Sequence, residues 1–201
     1  DVYKRQGDTA FMMICAALVF FMTPGLAFFY GGLVRRKNVC NTIMACVAIM
    51  GLSVVMWTLF GYSLSFGGNH AGIIGDFRWF GLNGVGMEAG PYADSIPHLV
   101  FCAFQMMFAM ITPALITGSL VGRMKFKALF LFVAIWSVIV YYPMAHMVWG
   151  DGGFLAAIGS VDFAGGDVVH ISSGISALVL AIILGRRRGY EHTTCLLYTS
   201  D

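Results

Sequence analysis

Charge is what this chain has least of. Only 11% of its 201 residues are Asp, Glu, Lys or Arg, and its mean hydropathy is +0.80. A soluble domain carries about 25% charged residues, so the polar groups here are too few to cover a water-facing surface. Cysteine is sparse as well. Cys15, Cys40, Cys46 and Cys102 lie in or beside apolar runs and Cys195 near the C-terminus, without metal-ligand spacing, which points to small buried hydrophobes rather than a metal site or disulfide framework. Gly-rich phosphate loops, H-E-x-x-H and G-x-S-x-G are all missing, so no nucleotide-dependent or hydrolytic chemistry is signalled. The basic residues come as short clusters flanking apolar runs, which argues against nucleic-acid binding.

Long apolar runs fill the space that charge leaves, in a chain that is 59% hydrophobic. Crossing a hydrocarbon core of roughly 30 Å takes about 20 apolar residues. Five runs are long enough: Ala10–Leu33, Cys40–Phe66, Ile96–Val121, Ala128–Trp149 and Phe163–Leu184. Their length and the lack of period-two alternation predict helices rather than a barrel. The first run exceeds a signal-peptide core and lacks an A-x-A-like cleavage site. It ends in FYGGLVRRKN, with bases behind it, and is expected to be a true span. The predicted fold is an all-α polytopic membrane protein of five transmembrane helices.

Basic residues alternate between loops. Arg35, Arg36 and Lys37 follow the first run, Arg123, Lys125 and Lys127 the third, and Arg186, Arg187 and Arg188 the fifth. The loop after the second run holds only Arg78 as a base, and the loop after the fourth holds none. These two regions carry Asp76, Glu88, Asp94, Asp151, Asp162 and Asp167 instead. Because cytoplasmic loops are enriched in Lys and Arg, the N-terminus is expected outside and the end of the fifth span inside.

A few residues stand out within this frame. Phe104 and Phe108 are spaced i, i+4 on one face of the third run, as core packing or as a paired aromatic surface. Trp149 ends the fourth run, where a tryptophan serves an interfacial aromatic belt or offers a face to a cation by cation–π attraction. Asp162 precedes the fifth run as a candidate N-cap that also adds negative potential at the outer mouth. Asp167 is read as a solvated or capping carboxylate.

His170 is a titratable ring inside an apolar run. Counting from Phe163 places it roughly 10 Å along the helix at about 1.5 Å per residue. Facing lipid would leave its nitrogens unsatisfied, so it is expected to face protein or a cavity. At helical spacing Ser173, Ala177 and Ala181 share its face, a stripe that suits close helix packing or the wall of a narrow pore equally well.

Four stretches, in order, resemble one family. They are FMMICAALVFFMTPGLAFFYGGLVRRKNV, AFQMMFAMITPALITG (103–118), YYPMAHMVWGDGGFL (141–155) and DFAGGDVVHISSG (162–174). Together they are similar to ammonium transporters of the Amt/Mep/Rh family, with the bacterial or archaeal Amt branch nearest, over roughly residues 7–191. The resemblance implies the first of two inverted five-helix repeats, since members usually have eleven spans. It implies ammonium recruitment at an outer aromatic vestibule of Trp149, Phe108 and Phe104, with Asp162 ordering the backbone there. Phe108 matches an outer gate phenylalanine and Gln105 is a motif neighbour. The resemblance also implies that His170 is the first of two pore histidines, which take a proton from ammonium so that ammonia and the proton travel separately. The second gate phenylalanine, a recruitment-site serine and the partner histidine belong to the other repeat. His98 and His146, near the outer ends of their spans, do not substitute for that histidine.

Further expectations follow from the family. The substrate is ammonium or ammonia, with methylammonium as an analogue, in the bilayer of the inner (plasma) membrane. A homotrimer and a cytoplasmic PII-type regulator are implied for the full-length protein; no cofactor, metal or nucleic acid is. DVYKRQ (1–6) and the tail 192–201 resemble neither the family nor membrane flanks, and are expected to be foreign residue. A five-helix piece is expected to be inactive alone. An ammonium sensor coupled to a signalling module is the alternative. An intramembrane enzyme would need a second ligand or nucleophile at the depth of His170, and no Cys, Asp or Glu supplies one.

Overall fold

The computed structural model describes residues 2–186; expectations on Arg187, Arg188 and the tail 192–201 lie outside the described residues. Five helical spans long and apolar enough to cross a membrane run over Lys4–Gly32, Arg36–Phe66, His98–Leu120, Phe126–Ala157 and Gly166–Leu184. The first helix begins earlier than the apolar run, at Val2, and continues through Pro24 to Gly32. The fifth begins later than expected. Phe163 is almost wholly exposed ahead of it and Gly165 turns with φ 82°, so regular winding starts only at Gly166.

The third span lies at the centre and packs against the first, second and fifth. In a bilayer, helices associate by close packing rather than by hydrophobic exclusion, and small residues allow that approach. Two glycines do so here. A Cβ on Gly61 would sit 2.6 Å from Cζ of Tyr142, and one on Gly118 2.7 Å from Cζ of Tyr30. The first contact lets the fourth span press its tyrosine into the second. The other lets Tyr30 reach the third span, where its hydroxyl donates to the Leu115 carbonyl at 2.9 Å. Trp57, Tyr62, Phe66, Tyr141 and Tyr142 are buried in the core. Trp57 contacts Tyr62, Phe66 and Tyr142 through tilted or edge-on rings 5.7–6.2 Å apart, geometries that suit aromatic quadrupoles.

The second, fourth and fifth spans each contain a wide turn, at Trp57–Gly61, Ser137–Tyr141 and Gly166–Ile171. Such π-type turns insert a residue and rotate everything beyond them relative to a regular helix. Between the second and third spans the chain forms a folded loop ending in a short antiparallel hairpin, β1 (Ala89–Gly90) and β2 (Ala93–Pro97). Asp76 anchors this loop. Its carboxylate accepts the Gly68 and Arg78 amides and pairs with the Arg78 guanidinium at 3.0 Å. Burial of the Asp76 carboxyl opposes ionisation, but the Arg78 and Gly68 hydrogen bonds and the Arg78 charge together hold it below the usual carboxylate range.

Candidate functional site

Asp162 builds one end of the site. Its Oδ1 accepts the backbone N–H groups of Gly165 (2.6 Å) and Gly166 (2.8 Å), and its Oδ2 those of Asp167 (2.8 Å) and Val168 (3.0 Å). A helix start leaves four amides without intrahelical partners; one carboxylate here takes four donors at the opening of the fifth span. Asp167 is engaged by the Ser160 hydroxyl at 2.9 Å. The Asp162 carbonyl in turn accepts the Trp149 indole N–H at 3.2 Å, which links the fourth span to the fifth.

Trp149, Phe108 and Phe104 are brought together. The rings of Phe108 and Trp149 lie 6.1 Å apart and those of Phe104 and Phe108 5.0 Å apart, both edge-on. With Asp162 they line a depression of about 470 Å³. Phe66, Tyr92, Phe101 and Gln105 are among the other residues that line it. The Gln105 Oε1 is buried without a hydrogen-bond partner among the described residues. Tyr92 and Phe101 stack with planes 5° apart and centroids at 5.3 Å. Tyr92 sits in the turn of the hairpin, where no helical period signals it. Burial raises its phenol above the ordinary tyrosine range.

His170 lies in a second cavity of about 330 Å³, with Met22, Gly25, Leu26 and Phe29 of the first span and Ile111 and Leu115 of the third. Phe108 and Ala164 line both cavities, so the Phe108 ring stands between the aromatic depression and the histidine. Leu115 also lines a third cavity of about 310 Å³ toward the basic end, with Tyr30, Gly118, Ser119, Arg123 and Ala177. There the Arg123 guanidinium donates to the Gly185 carbonyl at 3.0 Å and caps the end of the fifth span. Three cavities are thus strung along one side of the third span, joined through Phe108 and then Leu115.

The surroundings of His170 differ from the expected stripe. Its side chain is exposed, whereas Ser173 is buried and donates to the Val169 carbonyl at 2.6 Å. The wide turn Gly166–Ile171 interrupts the regular winding there: Ser173 turns into the packing, half-buried Ala177 lines the third cavity, and His170 shares the open face with Gly174 and Leu178. His170 is also within one turn of the helix start, shallower than the count from Phe163 predicts. His98 and His146 line none of these three cavities. His98 is buried against the Tyr62 hydroxyl, and His146 is fully buried with Nδ1 3.1 Å from the Ser65 carbonyl.

Five helices of this length and hydropathy, packed around a buried aromatic core, define a multi-pass membrane protein. The Ammonium Transporter Family model matches residues 10–199, and the chain belongs to that family. It is 52% identical to the ammonium transporter of Bacillus subtilis over 184 residues, covering 92% of this chain and 45% of that protein. The crystal structure of Candida albicans Mep2 superposes with a TM-score of 0.79 at 32% identity, covering 93% of this chain and 41% of that one. A structure described as a Sensor Amt Protein superposes with a TM-score of 0.81 at 27% identity, over 92% and 45% of the two chains. The chain therefore spans about half the length of the curated relatives it matches.

Proposed function

We propose that this chain is the N-terminal five-helix repeat, residues 7–191, of a transmembrane ammonium transporter rather than an enzyme. Ammonium is recruited in the depression lined by Trp149, Phe108 and Phe104, whose aromatic faces replace part of its hydration at ~0.5–2 kcal/mol each. Asp162 holds the backbone of that mouth in place and adds negative potential. Beyond Phe108 the cavity is apolar except for His170, and carrying a bare cation through such a region costs several kcal/mol. Neutral imidazole accepts the proton, so ammonia and the proton proceed separately toward the basic end. The mouth faces outward, the basic loops face the cytoplasm, and the protein resides in the inner membrane.

The observation that carries this function is the position of Phe108, which lines both the aromatic depression and the His170 cavity. The exposure of His170 supports a pore wall that needs the second repeat to close it, so residues 7–191 alone are expected to conduct nothing. In this account the full-length protein is a homotrimer, answers to a PII-type regulator, and takes methylammonium as an analogue. The test is methylammonium uptake by cells expressing a full-length transporter that contains this chain, comparing Trp149→Leu and His170→Ala. Trp149→Leu should raise KM and His170→Ala should lower the maximal rate; unchanged uptake in both rejects the function. A second function, an ammonium sensor coupled to a signalling module, is favoured by the likeness to the Sensor Amt Protein alone.

A further inference from the structure

Trp149 is not held by its own helix alone. The fourth span ends at it, and the turn that follows, Gly150 to Gly153, is gripped from the loop between the second and third spans. The Tyr92 hydroxyl accepts the Asp151 N–H at 3.1 Å and donates to the Phe66 carbonyl at 2.8 Å. One residue further on, the Asn69 side-chain amide donates to the Gly152 carbonyl at 2.8 Å. The orientation of Asn69 is fixed from its other side, where its Oδ1 accepts the Gly72 N–H at 2.6 Å and lies 3.3 Å from Nε2 of His146. The Gly72 carbonyl accepts the Phe154 N–H at 2.8 Å, a third tie to the same turn.

We infer that Tyr92 and Asn69 are positioning residues of the recruitment site: together they set the turn that fixes the Trp149 indole over the aromatic depression. Tyr92 has a second part in it, because its ring also forms the wall of that depression beside Phe101. The inference rests on the proposed ammonium function. Its physical basis is that a ring–cation contact falls off steeply with misplacement, whereas the fold as a whole has many other contacts. Loosening the turn should therefore weaken recruitment more than it weakens folding.

The test uses a full-length transporter containing this chain, with uptake of methylammonium measured over a concentration range and normalised to the amount of protein in the membrane. Tyr92→Phe keeps the ring and removes only the hydroxyl clamp; Asn69→Ala removes the other grip. Each is expected to raise KM by about three- to tenfold, within the range of one aromatic–cation contact, with the normalised maximal rate within twofold of wild type. A KM less than threefold above wild type in both variants overturns the inference, whatever happens to protein amount. Trp149→Leu is the control. If it raises KM while Tyr92→Phe and Asn69→Ala do not, the positioning role falls and the recruitment site stands. If Trp149→Leu leaves KM unchanged, the recruitment site itself falls, and the positioning role with it.

Discussion

Removing the Asp162 carboxylate should loosen the start of the fifth span while leaving its remainder wound. Four backbone amides converge on this one side chain at 2.6–3.0 Å. In Asp162→Ala the Gly166 amide is exposed and finds water, but Gly165 and Val168 are buried residues. Leaving two buried donors unsatisfied costs ~1–3 kcal/mol each, and losing an ordinary N-cap costs ~0.5–2 kcal/mol. The two ranges, ~2–6 kcal/mol for the donors and ~0.5–2 kcal/mol for the cap, meet at about 2 kcal/mol of local destabilisation. Since every ~1.4 kcal/mol is a factor of ten, amide hydrogen exchange over residues 165–168 should accelerate by about 30-fold or more. Asp162→Asn retains one acceptor oxygen and should fall between wild type and Asp162→Ala. The assay is hydrogen–deuterium exchange by mass spectrometry on the detergent-solubilised full-length protein, with peptides from the end of the fifth span as internal reference. Unchanged exchange at 165–168 in Asp162→Ala would refute the capping account. Acceleration spread evenly along the whole span would also count against it.

Other perturbations separate packing from chemistry. Gly61→Ala pushes a methyl into the fully buried Tyr142 ring and should cost ~1–3 kcal/mol, whereas Gly118→Ala meets the half-buried Tyr30 ring, which has room to yield; thermal unfolding in detergent should rank Gly61→Ala as the less stable. Phe108→Ala removes the ring between two cavities and should weaken discrimination between ammonium and larger amines, read as the ratio of their uptake rates. Asp76 predicts an acid-sensitive loop. Its folded pKa is depressed, so its contribution to stability is fully present above the unfolded value of ~3.9 and is lost as pH falls through the folded one. Protease sensitivity of residues 67–79 should therefore rise below about pH 4, and Asp76→Asn should show that sensitivity already at neutral pH.

The five spans were legible because length and hydropathy suffice to define a membrane crossing, and the expected runs overlap the observed helices. Trp149, Phe104, Phe108 and Asp162 were legible as individual residues, and the structure places them around one depression. What sequence spacing could not supply was rotation. The wide turn at Gly166–Ile171 breaks the 3.6-residue period at the very point where the face of His170 had to be counted. Nor could spacing find Tyr92 and Asn69, which reach the site from an irregular loop, by contacts 59 and 83 residues away in sequence. The one available signal was compositional: a tyrosine between Pro91 and Ala93 in a segment otherwise rich in turn residues.

His170 tests the account most directly. In proteoliposomes carrying the full-length transporter, ammonium flux should be measured for wild type and His170→Ala at equal protein density. If proton transfer to that imidazole is what lets ammonium pass the apolar cavity, the flux of His170→Ala falls by about a hundredfold or more, from the lower bound for a lost acid–base group upward. Flux equal to wild type would contradict the account, because the cation would then cross the same cavity without its proton acceptor.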